Sequence, residues 1–400
     1  MLSPETIRIV SATAPVVAEH AYAITCAMYK TMLPSDVKIA ELFNPTHQVV
    51  LPGETQARQP AALAASVVAY ASHIEDLGAL TAAVERIAHK HVSLEILPEQ
   101  YPVVGKHLLA AIQTVLGDAA TPEIVAAWGE AYGFLADLLI GRENAIRDTV
   151  AARPGGWYGW RAFHIAKVVT ESSEIKSFHL RPADGRPLVR FEPGQYVGVR
   201  LETAHFTTQR NYSLSMAPNS EEYRITVKRE GPAATGCPVG RVSSYLHDDV
   251  REGDVLQVSV PCGDFYLAPL DDGKPVVLLS GGVGITPMAA MAHHLLDSSA
   301  SNAVLFIHAA RSREVEALRD ELAARQGPNF TVKTIYGQEG QGELTGRVSA
   351  DLLAPLIPDK DAHFYFCGPP GFMRTVRAIL REWDVPESQV HYEYFGPFDG

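Results

Sequence analysis

The 400-residue chain has little that would staple or anchor it. Its 4 cysteines (Cys26, Cys237, Cys262, Cys367) are scattered with no metal-type pairing, which points to a reduced, cytoplasmic chain. No long uncharged apolar run occurs. The richest stretch, VVLLSGGVGITPMAAM, is broken by glycines and a proline, so no integral membrane segment is expected. Positive charge is in deficit, with Lys+Arg 34 against Asp+Glu 46 and a formal net charge of −12. That balance argues against nucleic acid or an anionic membrane as partner. No internal repeat or low-complexity segment appears. The N-terminus reads as a helix start, with Ser3 as N-cap, Pro4 at the first helical position and Glu5 at the positive end of the dipole, instead of a signal peptide.

What is present falls into three textures. The chain is 46% hydrophobic and 20% charged, and its length suits two or three domains at about 150 residues each. Residues 1–150 read as all helix, with start signals at Pro15, Pro98 and Thr121-Pro122-Glu123 and a stop at Gly117. Pro154, Gly155 and Gly156 form a linker. Over 157–268 the pattern alternates. YRITVKRE sets Tyr223, Ile225 and Val227 against Arg224, Thr226 and Lys228, so an antiparallel β-barrel or sandwich is expected. Over 274–400, short buried strands (VVLLS, AVLFIHAA, FTVKTIYG, HFYFCG) alternate with helical REVEALRDELAAR and GFMRTVRAILREW. This is the pattern of an α/β domain with a parallel sheet.

In VVLLSGGVGITPM a strand meets a glycine turn and a helix. Gly281, Gly282 and Gly284 with Thr286 would let backbone N–H groups and a helix dipole hold a pyrophosphate. RNYSL in the barrel offers a cation, a flat ring and a hydroxyl. With FEPGQYVGV before it, and CGPPGFM and YEYFGP after it, the ordered set resembles the ferredoxin–NADP reductase superfamily. The resemblance implies that Tyr196, Arg210, Asn211, Tyr212 and Ser213 bind FAD, with Gly240, Val242 and Ser243 on its pyrophosphate. It implies that Gly281, Gly282, Val283, Gly284, Ile285, Thr286 and Pro287, with Cys367, Gly368 and Pro369, hold NADH or NADPH. Glu393, Tyr394, Phe395, Gly396 and Pro397 would lie by the flavin. In HAARSREVE, Ser312 and Arg313, joined by Arg311, could read a 2′-phosphate; the alternative is a solvated basic turn.

In VERIAHKHVSLEILPEQY two histidines sit two apart. Leu80, Val84, Ile87 and His91 share one helical stripe, so His91 points into the core, whereas His89 falls with Glu85 and Arg86 toward water. Glu143 lies on the core stripe of the last helix, where a carboxylate needs a partner. An inward His, Tyr101 and Glu143 look like an iron ligand with supporting groups. Tyr29, Phe43, Gln59 and Leu63 occur in an order that resembles a globin, and the whole chain resembles a flavohaemoglobin, the nitric oxide dioxygenase family. By that resemblance His91 is the proximal ligand of haem b, held by Tyr101 and Glu143, with Lys90 at the haem edge facing the flavin. Tyr29 and Gln59 are distal polar groups between apolar Phe43 and Leu63. Pro60 pushes Gln59 out of helical geometry, so Gln59 caps the helix, Gln56 replaces it, or no glutamine reaches the ligand, and Tyr29 is the firmer assignment. The implied activity uses NAD(P)H, O2 and NO, with FAD and haem as cofactors, and the distal pocket could also take a lipid or other apolar ligand. An oxygen store or sensor, and a flavin or ferric reductase with a structural helical domain, remain as alternatives.

Overall fold

The computed structural model describes residues 2–204, 206–231, 239–298, 301–338, 340, 342 and 344–396. The helical part comprises α1 (Pro4–Ser35), α2 (Val37–Leu42), α3 (Arg58–Ser72), α4 (Thr81–Ser93), α5 (Tyr101–Leu116) and α6 (Pro122–Ala151). Ser3 caps α1 by accepting from the Thr6 N–H, and Thr121 caps α6. Pro15 starts no helix. It lies exposed within a continuous 32-residue α1, because Val10, Val17, Ile24 and Met28 on either side of it are buried in one core. That burial outweighs the cost of an interior proline, about 3 kcal/mol. α6 is long and apolar enough by composition to cross a bilayer, but it packs against α1, α4 and α5.

The linker is closely packed. Gly155 has φ +80° and lies against the Leu188 backbone, while a Cβ on Gly156 would run into the Val150 carbonyl. Beyond it β1 (Arg161–Thr170), β2 (Ile175–Pro182), β3 (Tyr196–Glu202), β4 (Thr207–Ser213), β5 (Tyr223–Lys228) and, after α7 (Arg241–Asp248), β6 (Val255–Val258) form an antiparallel sheet in the order β4-β3-β6-β1-β2-β5. A bridge between Leu214 and Ile225 brings its two edges together into a barrel.

The last part is a parallel sheet of β7 (Val276–Gly281), β8 (Val304–Ala310), β9 (Phe330–Tyr336), β10 (Leu344–Thr345), β11 (His363–Cys367) and β12 (Val390–Glu393), ordered β10-β9-β8-β7-β11-β12. α8 (Ile285–Asp297) covers one face, and α10 (Ala350–Leu353) and α11 (Pro370–Glu382) cover the other. The expected helix over REVEALRDELAAR is only a 3-10 turn and the short α9 (Arg319–Ala323), because Leu318 adopts φ +55° and breaks the helical path between them.

β5 departs from simple alternation. Arg224 is 6% exposed, so its face points at the nucleotide domain and not at water. Arg224 Nη1 and Nη2 lie 2.6 and 3.0 Å from the Glu321 carboxylate on α9, and His293 Nε2 on α8 lies 2.6 Å from the same group. Burial pushes the Glu321 carboxyl up, but the His293 and Arg224 contacts outweigh it and hold the group at about 2. A depressed carboxylate value means that this tie is fully present above the ordinary value of 4.5 and is lost as pH falls through about 2. Glu321→Gln should therefore lower stability at neutral pH by about 2 kcal/mol and flatten the acid limb between those values. Thermal melts of both proteins from pH 7 to pH 2 test this; parallel acid limbs would refute it.

Candidate functional site

The proximal cluster is set by three helices. His91 Nδ1 lies 2.8 Å from Glu143 Oε1 and 2.9 Å from the Tyr101 hydroxyl, and that hydroxyl donates to the same carboxylate oxygen at 2.5 Å. Glu143 is fully buried, and Arg147 Nη1 stands 3.9 Å from its other oxygen. Burial, then Glu143, holds the Tyr101 phenol far above its ordinary range. α5 and α6 come close enough for this because Gly105 leaves room for the Tyr132 ring, whose hydroxyl donates to the Tyr101 carbonyl at 2.7 Å. With the Nδ1–H donated to a carboxylate, Nε2 keeps the lone pair a metal ligand needs. The donor set fits haem.

On the distal side Tyr29 is 5% exposed and packs edge-on against Phe43 at 5.4 Å. Gln59 does project from α3. Its Nε2 donates to the Tyr29 hydroxyl at 3.3 Å. Pro60 is tolerated because it falls in the first helical turn, where an N–H has no partner within the helix. Leu63, one turn on, packs against the same core. Gln56 takes no part in the described bonds of this pair.

In the barrel, β3 and β4 pair Tyr196 with Ser213, Val197 with Tyr212, Gly198 with Asn211 and Val199 with Arg210. Burial lowers Arg210 to about 10, with Arg241 adding to the effect. Its described bonds go to Thr208 Oγ1 and the Gln209 carbonyl. A half-buried guanidinium beside a second cation fits a diphosphate. Gly240 caps α7, Val242 is buried beneath it, and Ser243 Oγ accepts from the Glu230 N–H.

At the end of β7, Gly281 to Ile285 wrap into a tight turn. Gly282 has φ +53°, and a Cβ on Gly284 would strike the Cys367 carbonyl. Thr286 Oγ1 donates to the Val283 carbonyl, and Pro287 is buried in α8. Gly368 and Pro369 close over Gly281, so the two loops form one cradle whose crowding fits a nucleotide backbone approach. Ser312 is buried, and Arg311 pairs with Glu174 of the barrel at 2.5 Å.

The C-terminal segment returns to the haem helix. Lys90 Nζ is 3.7 Å from Glu393 Oε1 and donates to the Gly396 carbonyl at 3.3 Å. Burial raises the Glu393 carboxyl, opposed by Lys90. The Tyr394 ring meets Tyr392 edge-on, and Phe395 is half-exposed; Pro397 lies outside the described residues.

His89 is not directed to water. Its side chain is 15% exposed and faces the barrel, where Nδ1 accepts the Gly263 N–H at 3.1 Å. Other joints had no sequence signal of their own. Gln209 Nε2 donates to the Leu94 carbonyl at 2.7 Å, Ser93 Oγ to Asn211 Oδ1 at 3.0 Å, and Thr208 Oγ1 to the Glu41 carbonyl at 3.0 Å. His47, lowered to about 4 by burial and then by Arg210 and Arg58, sits where all three parts meet.

Fold and site together define a haem-binding globin joined to a reductase that binds FAD and a nicotinamide nucleotide. Three family models match in that order: Globin over residues 27–139, oxidoreductase FAD-binding domain over 162–266 and oxidoreductase NAD-binding domain over 278–378. The chain is 45% identical to a flavohemoprotein of Rhodopirellula baltica, covering 99% of this chain and 98% of that one. It is 46% identical to a flavohemoprotein of Bordetella pertussis, covering 99% of each. The crystal structure of flavohemoglobin from Malassezia yamatoensis, with bound FAD and heme, superposes with a TM-score of 0.83 at 27% identity, covering 99% of this chain and 100% of that one. The chain belongs to the flavohemoprotein family.

If Nε2 of His91 is the iron ligand, His91→Ala should abolish haem retention while His89→Ala keeps it. Glu143→Gln should retain haem yet shift the iron–histidine stretching band, because a neutral amide pulls less on the imidazole proton. Haem content and Raman spectra of the ferrous proteins check both; an unshifted band would leave Glu143 a purely structural tie.

Proposed function

We propose that this protein is a nitric oxide dioxygenase that uses NAD(P)H and O2 to convert NO to nitrate in the cytoplasm. When bound, haem supplies dioxygen binding, and FAD converts a hydride into single electrons. The observation that carries the reading is that adjacent residues of α4 face both halves of the chemistry. His91 faces Glu143, and Lys90 reaches Glu393 and Gly396 beside the nucleotide cradle.

On the proximal side, Glu143 holds the His91 N–H and makes the ring a stronger electron donor. The fully buried carboxylate keeps that bond short and shielded from water. On the distal side, burial pushes the Tyr29 phenol up to about 12, so it keeps its proton at neutral pH. Tyr29 already accepts from Gln59, which leaves its own O–H to donate into the pocket. Phe43 and Leu63 exclude water around that donor. On the reductase side, the half-buried guanidinium of Arg210 neutralises a diphosphate, and the Gly281–Gly284 turn lets backbone N–H groups approach another. Cys367 is fully buried and held as a thiol, first by burial and then by Glu393.

Purified protein should consume NO under air with NADH and release nitrate. Reduced haem without NO consumption would favour an oxygen store. Tyr29→Phe should speed O2 release about 10-fold, the value of one hydrogen bond to a charged group. Gln59→Leu should have a smaller effect, because Gln59 acts through the Tyr29 hydroxyl. Stopped-flow displacement of O2 measures both, and a larger effect at Gln59 would reverse the roles.

A further inference from the structure

We propose that His89 is a positioning residue for electron transfer: by accepting the Gly263 N–H it fixes the roll of the proximal helix over the flavin-binding barrel. The proposal rests on the electron path proposed above. His89 and His91 are two residues apart, about 200° around the helix, so they face opposite ways. One imidazole meets Glu143, while the other meets the barrel.

The ring is held from both sides. Its Nδ1 accepts from Gly263, so Nε2 carries the proton, and Nε2 faces Glu85 Oε2 at 4.0 Å. Glu85 is in turn clasped by Arg142 of α6 through bonds of 2.6 and 2.8 Å. Gly263 is no loose acceptor of strain. It has φ +125°, and a Cβ there would stand 3.0 Å from the Tyr196 ring. Its carbonyl accepts from Gln195 Nε2 at 3.2 Å, and Tyr196 and Cys262 exchange backbone bonds of 2.9 and 2.8 Å beside it. The path from the haem helix to Tyr196 therefore runs through stiff backbone.

The other polar joints lie elsewhere: Thr208 meets Glu41 on α2, away from α4. Those of Ser93 and Leu94 pin the C-terminal end of α4, and Gly198 packs under the Ser93 carbonyl there. A contact at that end constrains the earlier turn of α4 less directly. Lys90 adds a tether through a long flexible side chain. His89 supplies a short, planar second point one turn earlier, about 6 Å along the axis. With both cofactors bound, the NAD(P)H hydride would supply two electrons to the flavin, which would pass one to each ferric haem reduced. No bond to the protein forms or breaks, so the protein's share of the step is this geometry.

The test uses the full holoprotein under anaerobic stopped flow with NADH, following flavin and haem absorbance separately. His89→Leu removes the acceptor with similar bulk, and His89→Asn places a carbonyl oxygen close to the position of Nδ1. In His89→Leu, haem content and flavin reduction should match wild type, whereas haem reduction should slow about 10-fold. Amide exchange of the peptide containing Gly263 should rise in the same variant. His89→Asn should restore both. Wild-type haem reduction in His89→Leu, or a His89→Asn as slow as His89→Leu, would overturn the proposal. If wild-type haem stays oxidised once its flavin is reduced, the electron path itself fails, and the proposal with it, even where the exchange data still report the bond.

Discussion

A fully buried carboxylate is the constraint around which the haem end is organised. Glu143 on α6 collects the Tyr101 hydroxyl and the His91 ring on one oxygen and has Arg147 within 3.9 Å of the other. Removing a carboxylate from water costs several kcal/mol, and only good donors at short range repay it. The donors must come from α4 and α5, so three helices are forced into one relative placement. Gly105 under the Tyr132 ring and the Tyr132 bond to the Tyr101 carbonyl are consequences of that placement. An apolar residue at 143 would pack α6 as well, but it would leave the imidazole only the neutral Tyr101 hydroxyl as partner.

The same helix, α4, is buried on its opposite side by a different kind of surface. Among the described residues, the haem end meets the barrel through apolar packing of Ala88, Val92, Ile146 and Val150 and through hydrogen bonds, several of them to backbone: Leu94 and Glu41 carbonyls accept, and the Gly263 N–H donates. Backbone groups cannot be moved without moving a strand, so such a joint fixes register more than it adds affinity. The buried Arg224, Glu321 and His293 do the equivalent between barrel and nucleotide domain with charge. Glycine sets the spacing at these seams, at Gly198 against Ser93 and at Gly156 against Val150.

What could be read from the sequence follows from this. Helix phase placed His91 and Glu143 on core-facing stripes, because a 3.6-residue period is local and the core lies on one side. Glycine turns between strand and helix were legible for the same local reason. The period says which face a residue occupies, not what covers that face. His89 therefore read as solvent-facing and Arg224 as part of a polar strand face, since both lie on polar stripes that a second domain buries. Pro15 and the stretch before α9 show the reverse error. A proline read as a start sits mid-helix because tertiary burial flanks it, and a helical composition from Arg313 onward is broken at Leu318 by its left-handed backbone.

These two kinds of surface divide the labour in a way that bears on function. A single ring oriented by a buried anion needs a rigid, dry interior, and the haem end supplies it. Passing electrons between cofactors held in different domains needs a fixed distance across a seam, which an oily interface alone would leave free to slide. Hydrophobic burial is non-directional. Directional bonds to backbone remove that freedom. α4 has both on opposite faces, with Lys90 between them reaching the C-terminal segment beyond β12. On the proposed reading, one short helix sets the electronics of its ligand and the placement of its electron donor together, and a change that rotates it disturbs both.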